Sequence, residues 1–137
     1  MIDGMGYRVV HARDLHWEER TPPEGRQDDP ARFAADLTTA ADFGRSRARL
    51  WRYPPGSRGR RHADKAQEEV FVVVEGTLTM HLGEPAERVE LVPHSVAVVE
   101  PGTPLQLRND GDDDVVVFIY GAPPEQAGAD FFPDAAP

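Results

Sequence analysis

Cysteine is absent from the 137 residues, and other residues that carry common covalent chemistry are scarce. Without cysteine the chain can form no disulfide bond, no thiolate zinc site and no thiol nucleophile, so any metal would need nitrogen and oxygen ligands. Lys65 is the single lysine, and no serine stands in the context of a hydrolase nucleophile. Acid–base chemistry would therefore fall to histidine, carboxylate or tyrosine side chains.

Long apolar runs are also missing. No stretch approaches the roughly 18 apolar residues that a membrane helix needs, and the N-terminal segment MIDGMGYRVV lacks the basic and apolar parts of a signal peptide. Acidic residues outnumber basic ones by 24 to 15, and the resulting net charge of −9 repels nucleic acid and anionic lipid. We expect a cytoplasmic protein that binds neither nucleic acid nor membranes.

Short strand-like runs fill residues 47–121. β-Branched and other apolar residues alternate there with turn-forming residues at a spacing of about 8 to 12 residues, which is typical of an all-β barrel or sandwich. Pro-Pro-Gly after Tyr53 and Asp-Gly in the segment NDGDDD are suited to the turns between strands. The predicted strands are RARLWRY, EVFVVVEG, TLTMHLG, RVELV, VAVVEPG, PLQLRN and VVVFIYG.

The flanking segments belong to the same single domain, given the length of the chain. Residues 1–46 are predicted to form an N-terminal arm with one short helix in DPARFAADLTTAADFG, since Pro30 suits the first helical turn and Gly44 suits the end. Residues 122–137 are rich in proline and glycine, and we expect this tail to dock against the barrel. The fold class is thus all-β with at most one or two short helices.

Two segments carry residues at the spacing of known motifs. Gly56, His62, Glu69 and Gly76 fit the pattern GxxxxxHxHxxxxExxxxxxG, with an aspartate in place of the second histidine. The segment VVEPGTPLQLRN fits PPGTPHxxxN, with a leucine in place of its histidine. The chain therefore resembles a small single-domain cupin.

The resemblance implies a double-stranded β-helix, also called a jelly-roll barrel, and a homodimer. In many relatives three histidines and one glutamate bind a divalent metal. Here two of these four positions differ, because Asp64 and Leu105 replace histidines. The metal motif is therefore degenerate.

A metal site is one interpretation of this region. Strand alternation puts His62 and Asp64 on one face and puts Glu69 on one face of the next strand, so the three converge if both faces point inward. One imidazole and two carboxylates suit manganese, iron or nickel, held weakly without a fourth ligand. The alternatives are a polar pocket without metal and a hydrogen-bonded structural corner.

Candidate substrate-binding residues follow from strand parity and the resemblance. Arg60 has the parity of His62, so its guanidinium could anchor a carboxylate or phosphate, and Arg52 is a second candidate. The predicted apolar contacts are Phe71, Leu105 and Phe118, and the predicted catalytic residues are His62, Glu69 and Tyr120. Arg45, Arg47 and Arg49 share a strand face with Trp51 and Tyr53, and we interpret this row as solvated or facing a second subunit.

The preferred function is binding of a small anionic or oxygenated organic molecule in the barrel, with or without a weakly held metal. One alternative is an active metal-dependent dioxygenase, isomerase or cyclase. Another is a metal-free sensor or a structural homodimer. The fold alone does not choose among these functions.

Overall fold

The computed structural model describes residues 2–124 and 127–137. Met1 of the predicted arm and Glu125 and Gln126 of the predicted tail lie outside the described residues. The described residues form strands β1 (Ile2–Gly4), β2 (Tyr7–Val9), β3 (Trp17–Arg20), β4 (Arg32–Asp36), β5 (Arg47–Tyr53), β6 (His62–Asp64), β7 (Glu68–Glu75), β8 (Leu78–Leu82), β9 (Glu87–Leu91), β10 (Val96–Val99), β11 (Leu105–Arg108), β12 (Val115–Ala122) and β13 (Ala129–Phe131).

Two antiparallel sheets make up the barrel. The six-stranded sheet has the order β10-β7-β12-β5-β4-β3, and the five-stranded sheet has the order β13-β6-β11-β8-β9. Strands β1 and β2 pair separately as a hairpin. This arrangement confirms the predicted all-β fold, and each of the seven predicted runs contains a strand at the expected place.

The core lies between the two sheets. Alternation along β7 turns Phe71 and Val73 inward, where they are 2% and 0% exposed. Met80 and Leu105 of the five-stranded sheet pack in the same cluster. Apolar burial of this extent is the main force that holds the sheets together.

The predicted helix is only partly correct. Arg32–Asp36 forms β4, and the helix α1 is limited to Leu37–Ala41, where the Asp36 carboxylate caps it by accepting from Thr39 N at 3.3 Å. Strand β4 pairs with β5 and buries Ala34 and Ala35. Pairing with a neighbouring strand has therefore overridden the local helix propensity of the alanines.

The C-terminal segment covers the outer side of β11. Gln106 is fully buried there; its amide donates to Asp134 Oδ1 at 2.9 Å, and its carbonyl oxygen accepts from Ala135 N at 3.0 Å. Arg108 donates to the carbonyl oxygen of Ala135 at 2.8 Å. Among the described residues, no helix is long and apolar enough to cross a membrane.

Candidate functional site

A cavity of about 370 Å³ opens between the two sheets. Its volume is in the range of pockets that bind small organic molecules. Strands β4, β5, β7 and β12 supply one wall, and β6, β11 and the loop before β6 supply the other. The cavity lies where the barrel core gives way to polar side chains, so a ligand would meet both kinds of surface.

The inner part of the cavity is apolar. Phe71, Leu105 and Leu107 line it and are at most 4% exposed. Ile119 pairs with Phe71 on one side and with Arg49 on the other, so the apolar surface spans β7 and β12 and ends at an arginine on β5. Tyr53 borders the same surface.

The next row across the six-stranded sheet is polar. Gly121 of β12 pairs with Arg47 of β5 and with Glu69 of β7, so the three residues stand side by side on one face. Paired positions in antiparallel strands have Cα atoms about 5 Å apart, which separates the Cα atoms of Arg47 and Glu69 by about 10 Å. We call Arg47, Gly121 and Glu69 the polar row.

Four arginines line the cavity: Arg32, Arg47, Arg49 and Arg60. Within the described residues, none of them has a carboxylate oxygen within 4.0 Å of a guanidinium nitrogen. The lining has only two acidic residues, Asp36 and Glu69. The cavity is therefore rich in positive charge although the protein is acidic.

The arginines are held by different contacts. Arg32 donates to Tyr53 Oη at 3.1 Å and packs over the Trp51 ring, 4.7 Å from its centroid. Arg60 lies 3.7 Å from the centroid of Phe131. Burial lowers the pKa of Arg49, and the neighbouring charges of Arg47 and Arg20 lower it further. An anion would relieve this crowding of positive charge.

Two titratable groups face the same cavity. Burial raises the pKa of the Glu69 carboxyl; the His62 and Arg47 charges oppose this rise, and Asp64 adds to it. His62 Nδ1 lies 3.0 Å from the carbonyl oxygen of Arg60. Because a carbonyl oxygen only accepts, Nδ1 donates this hydrogen bond.

The strands that enclose this cavity also match a known protein family. The family model described as Cupin domain matches residues 49–120, which is more than half of the chain. The chain is a cupin. The resemblance noted in the two sequence motifs is thereby confirmed.

Several solved structures are similar to this cupin. A sugar phosphate isomerase from Silicibacter pomeroyi has 21% identity and a TM-score of 0.72, with 83% of this chain and 74% of that chain covered. The polyketide cyclase RemF from Streptomyces resistomycificus has 19% identity and a TM-score of 0.75, with 93% and 87% covered. A predicted oxalate decarboxylase from Thermotoga maritima has 19% identity and a TM-score of 0.72, with 83% and 97% covered. These similarities concern the fold alone. Comparison with curated proteins gives no match.

The predicted three-ligand metal set is not formed. His62 and Glu69 line the cavity, but Asp64 Oδ1 accepts hydrogen bonds from Ala66 N at 2.9 Å and Gln67 N at 2.7 Å. Asp64 thus caps the turn between β6 and β7. Within residues 2–124 and 127–137, no group of three histidine or acidic side chains could hold a metal ion. The residues of this cupin therefore do not fit the metal centre that the family motif implies.

Three predicted site residues lie elsewhere. Arg52, Phe118 and Tyr120 are on the outer face of the six-stranded sheet, because Ile119 and Gly121 face the cavity and neighbouring residues alternate. The Arg52 guanidinium lies 3.4 Å from Asp114 Oδ2, and Phe118 stacks with Tyr120. Their predicted placement in the barrel is therefore wrong. Arg60, His62, Glu69, Phe71 and Leu105 do line the cavity.

The interpretation of the β5 arginines as a solvated or subunit-facing row is also corrected. Arg47, Arg49, Trp51 and Tyr53 all line the cavity. Their shared parity is visible in the sequence, and the aromatic residues Trp51 and Tyr53 at the end of the row were the available signal for an inward face. Arg32 could not be found in this way, because β4 was predicted as helix.

Proposed function

We propose that this cupin binds a small anionic, oxygenated organic molecule in the barrel cavity, without a requirement for a bound metal. The observation that carries the proposal is the set of four cavity arginines without a carboxylate partner within 4.0 Å. Arg32, Arg47 and Arg49 are half-buried and Arg60 is exposed, so a ligand that supplies negative charge would offset the repulsion among four neighbouring guanidinium groups.

The apolar surface limits the class of ligand. Phe71, Leu105, Leu107 and Ile119 occupy the inner wall and would contact a hydrocarbon or aromatic part. The polar row offers an arginine and a carboxyl group next to that wall. An organic acid or phosphate ester with an apolar body satisfies both surfaces, whereas a free inorganic anion satisfies only one.

Calorimetric titration with benzoate and benzyl alcohol tests the proposal. The two probes share a ring and differ in charge, so a cavity that recognises anions binds benzoate more tightly. Arg49→Met should weaken benzoate binding at least about tenfold, because hydrogen bonds to charged groups are among the stronger ones. Arg88→Met is the matched control, since Arg88 is exposed on β9 and contacts Glu90 and Asp110. Equal affinity for the two probes, or an equal effect of the two substitutions, would refute the proposal.

Acid–base catalysis is a second candidate function. His62 and Glu69 line one cavity, and the pKa of Glu69 is raised by burial, as in carboxyl groups that act as general acids. Similar folds include proteins named as a sugar phosphate isomerase and a polyketide cyclase. Incorporation of solvent deuterium into a bound carbonyl acid, lost in His62→Ala, would support an isomerase or cyclase. If a carbonyl acid that saturates the cavity incorporates no deuterium from the solvent, the result would argue for a binding protein.

A homodimer is the partner that we propose. Val96, Val72, Phe118 and Leu50 are paired in successive strands, so they form one apolar row across the outer face of the six-stranded sheet. Val96 and Val98 of the edge strand are 55% and 58% exposed. An exposed apolar face that reaches a sheet edge is suited to contact with a second copy.

A further inference from the structure

The polar row contains a gap at Gly121. Its φ angle is outside the left-handed region, so the backbone does not require glycine at this position. A Cβ atom on residue 121 would instead lie 2.9 Å from Gln67 Oε1 and 3.4 Å from Gln67 Cδ. Glycine is therefore needed for space, because the Gln67 amide occupies the place between Arg47 and Glu69 that a side chain would take.

Gln67 lies over this gap and is 1% exposed. Its Nε2 donates to the carbonyl oxygen of Pro123 at 2.8 Å, which fixes Oε1 as the atom near Gly121. Within the described residues Oε1 has no hydrogen-bond partner. An acceptor of this kind is costly to leave unpaired, and because Gln67 lines the cavity, a hydroxyl group of a ligand is a suitable partner for it.

The opposite side of the gap has an excess of donors. Arg47 Nε is buried and without a partner among the described residues, and Arg49 occupies the next inward position on β5. One side of the gap thus presents donors that suit an anion. The other side presents oxygen atoms of Gln67 and Glu69 that suit a hydroxyl group.

We propose that the ligand carries a hydroxyl group next to its carboxylate or phosphate, with the anion bound by Arg47 and Arg49 and the hydroxyl bound by Gln67 and Glu69 across Gly121. This inference rests on the proposed function, since it specifies the anion that the cavity binds. The apolar body of the molecule lies against Phe71 and Ile119. The ligand class is therefore a hydroxy acid or a hydroxyalkyl phosphate with an apolar part.

Two pairs of probes, each differing by one hydroxyl group, test this ligand class. Mandelate is compared with phenylacetate, and 2-hydroxypropyl phosphate with propyl phosphate, by calorimetric titration of the full chain. We expect the hydroxylated member of at least one pair to bind about 3- to 10-fold more tightly, the contribution of one added hydrogen bond. The pair that shows the preference identifies the anion as a carboxylate or a phosphate.

Gly121→Ala should remove the hydroxyl preference, because its Cβ atom would displace the Gln67 amide. Gly44→Ala is its control, because a Cβ atom there meets nothing within 4 Å. If Gly121→Ala does not fold, Glu69→Met serves instead, with the exposed neighbour Glu68→Met as its control. Loss of the preference in the cavity variant alone supports the inference.

Equal affinities within both pairs would overturn the inference, as would a preference that survives Gly121→Ala or Glu69→Met. In those cases the proposed function still stands if benzoate binds better than benzyl alcohol and depends on Arg49. A failure of the benzoate comparison would overturn both. The two failures are therefore distinguishable.

Discussion

Leu105 stands directly opposite His62 in the pairing of β6 with β11, and it is fully buried in the cavity wall. The family motif has a histidine at this position, so one residue removes a nitrogen ligand from beside His62. Asp64 removes another by turning its carboxylate to the backbone of Ala66 and Gln67. These two residues explain why the metal-ligand set that the family motif implies is not formed.

Restoring the nitrogen ligand should restore metal affinity. We predict that Leu105→His binds nickel or cobalt about tenfold or more tightly than the unsubstituted protein, because imidazole ligands favour these ions. Calorimetric titration measures the affinity, and the melting temperature should rise with metal concentration. Leu107→His is the control, since Leu107 faces the same cavity two residues farther along β11. An equal gain in both variants would contradict the pairing of residue 105 with His62.

Glu69 should make stability depend on pH. Burial raises the pKa of its carboxyl in the folded state above the ordinary 4.5, so the folded protein holds this proton more tightly than the unfolded chain. This stabilisation is complete below pH 4.5 and is lost as pH rises through the folded pKa. The free energy of unfolding should therefore fall relative to Glu69→Gln across that range. Urea denaturation at several pH values measures it, with Glu68→Gln as control. A constant difference between wild type and Glu69→Gln would be inconsistent with a buried carboxyl.

At the scale of elements, the sequence predicts where the strands form better than it predicts which face of each strand points into the barrel. Alternation places Arg47, Arg49 and Trp51 on one side of β5, but nothing local says which side meets the other sheet. The abundance of arginine favoured solvent, whereas pairing of β5 with β4 and β12 fixed the opposite outcome. For the same reason Phe118 of β12 was predicted to point into the barrel, whereas it lies on the outer face. Side-chain direction depends on tertiary packing, which a single sequence does not contain.

Strand β4 illustrates a second limit. The segment around Ala34 and Ala35 has good helix propensity, and a preceding proline strengthened the prediction of a helix. The strand forms because β5 offers a ladder of hydrogen bonds and a buried surface for these small side chains. Arg32, on this strand, could therefore not be assigned to the cavity from the sequence. By contrast, the motif spacing located His62 and Glu69 correctly in the cavity.

The C-terminal segment should contribute to stability through Asp134. This carboxylate contacts Arg58 at 2.7 Å and Arg26 at 3.3 Å, and it accepts from the buried Gln106 amide. We predict that Asp134→Ala lowers the free energy of unfolding by about 1–3 kcal/mol, because it leaves buried donors with fewer partners. Asp130→Ala is the control, since that carboxylate has one exposed contact with Lys65. Equal effects in urea denaturation would show that the segment does not dock through Asp134.

At the scale of the whole molecule, the outer face of the six-stranded sheet should mediate dimerisation. Sedimentation at micromolar concentration should detect a dimer, and Val96→Glu should convert it to a monomer by placing a charge in the apolar row. Val92→Glu provides a control at a similarly exposed valine outside the edge strand. A monomer before substitution, or dissociation by both variants, would exclude this interface. The Trp51 face cannot serve as the interface, because it lines the cavity.

The cavity differs in charge from the molecule as a whole. The chain carries a net charge of −9, yet its cavity has four arginines and two acidic residues. Low-dielectric walls strengthen the field inside a cleft, so we expect a small anion to bind in the cavity rather than on the outer surface.

Co-crystallisation with 4-bromobenzoate is the most direct test, because anomalous scattering from bromine locates the molecule without reference to its expected position. The ring should lie against Phe71 and Ile119, with the carboxylate within hydrogen-bond distance of Arg47 or Arg49. A molecule bound outside the cavity would contradict the proposed anion site. So would a molecule bound inside the cavity with its carboxylate away from both arginines, because Arg47 and Arg49 are proposed to bind the anion.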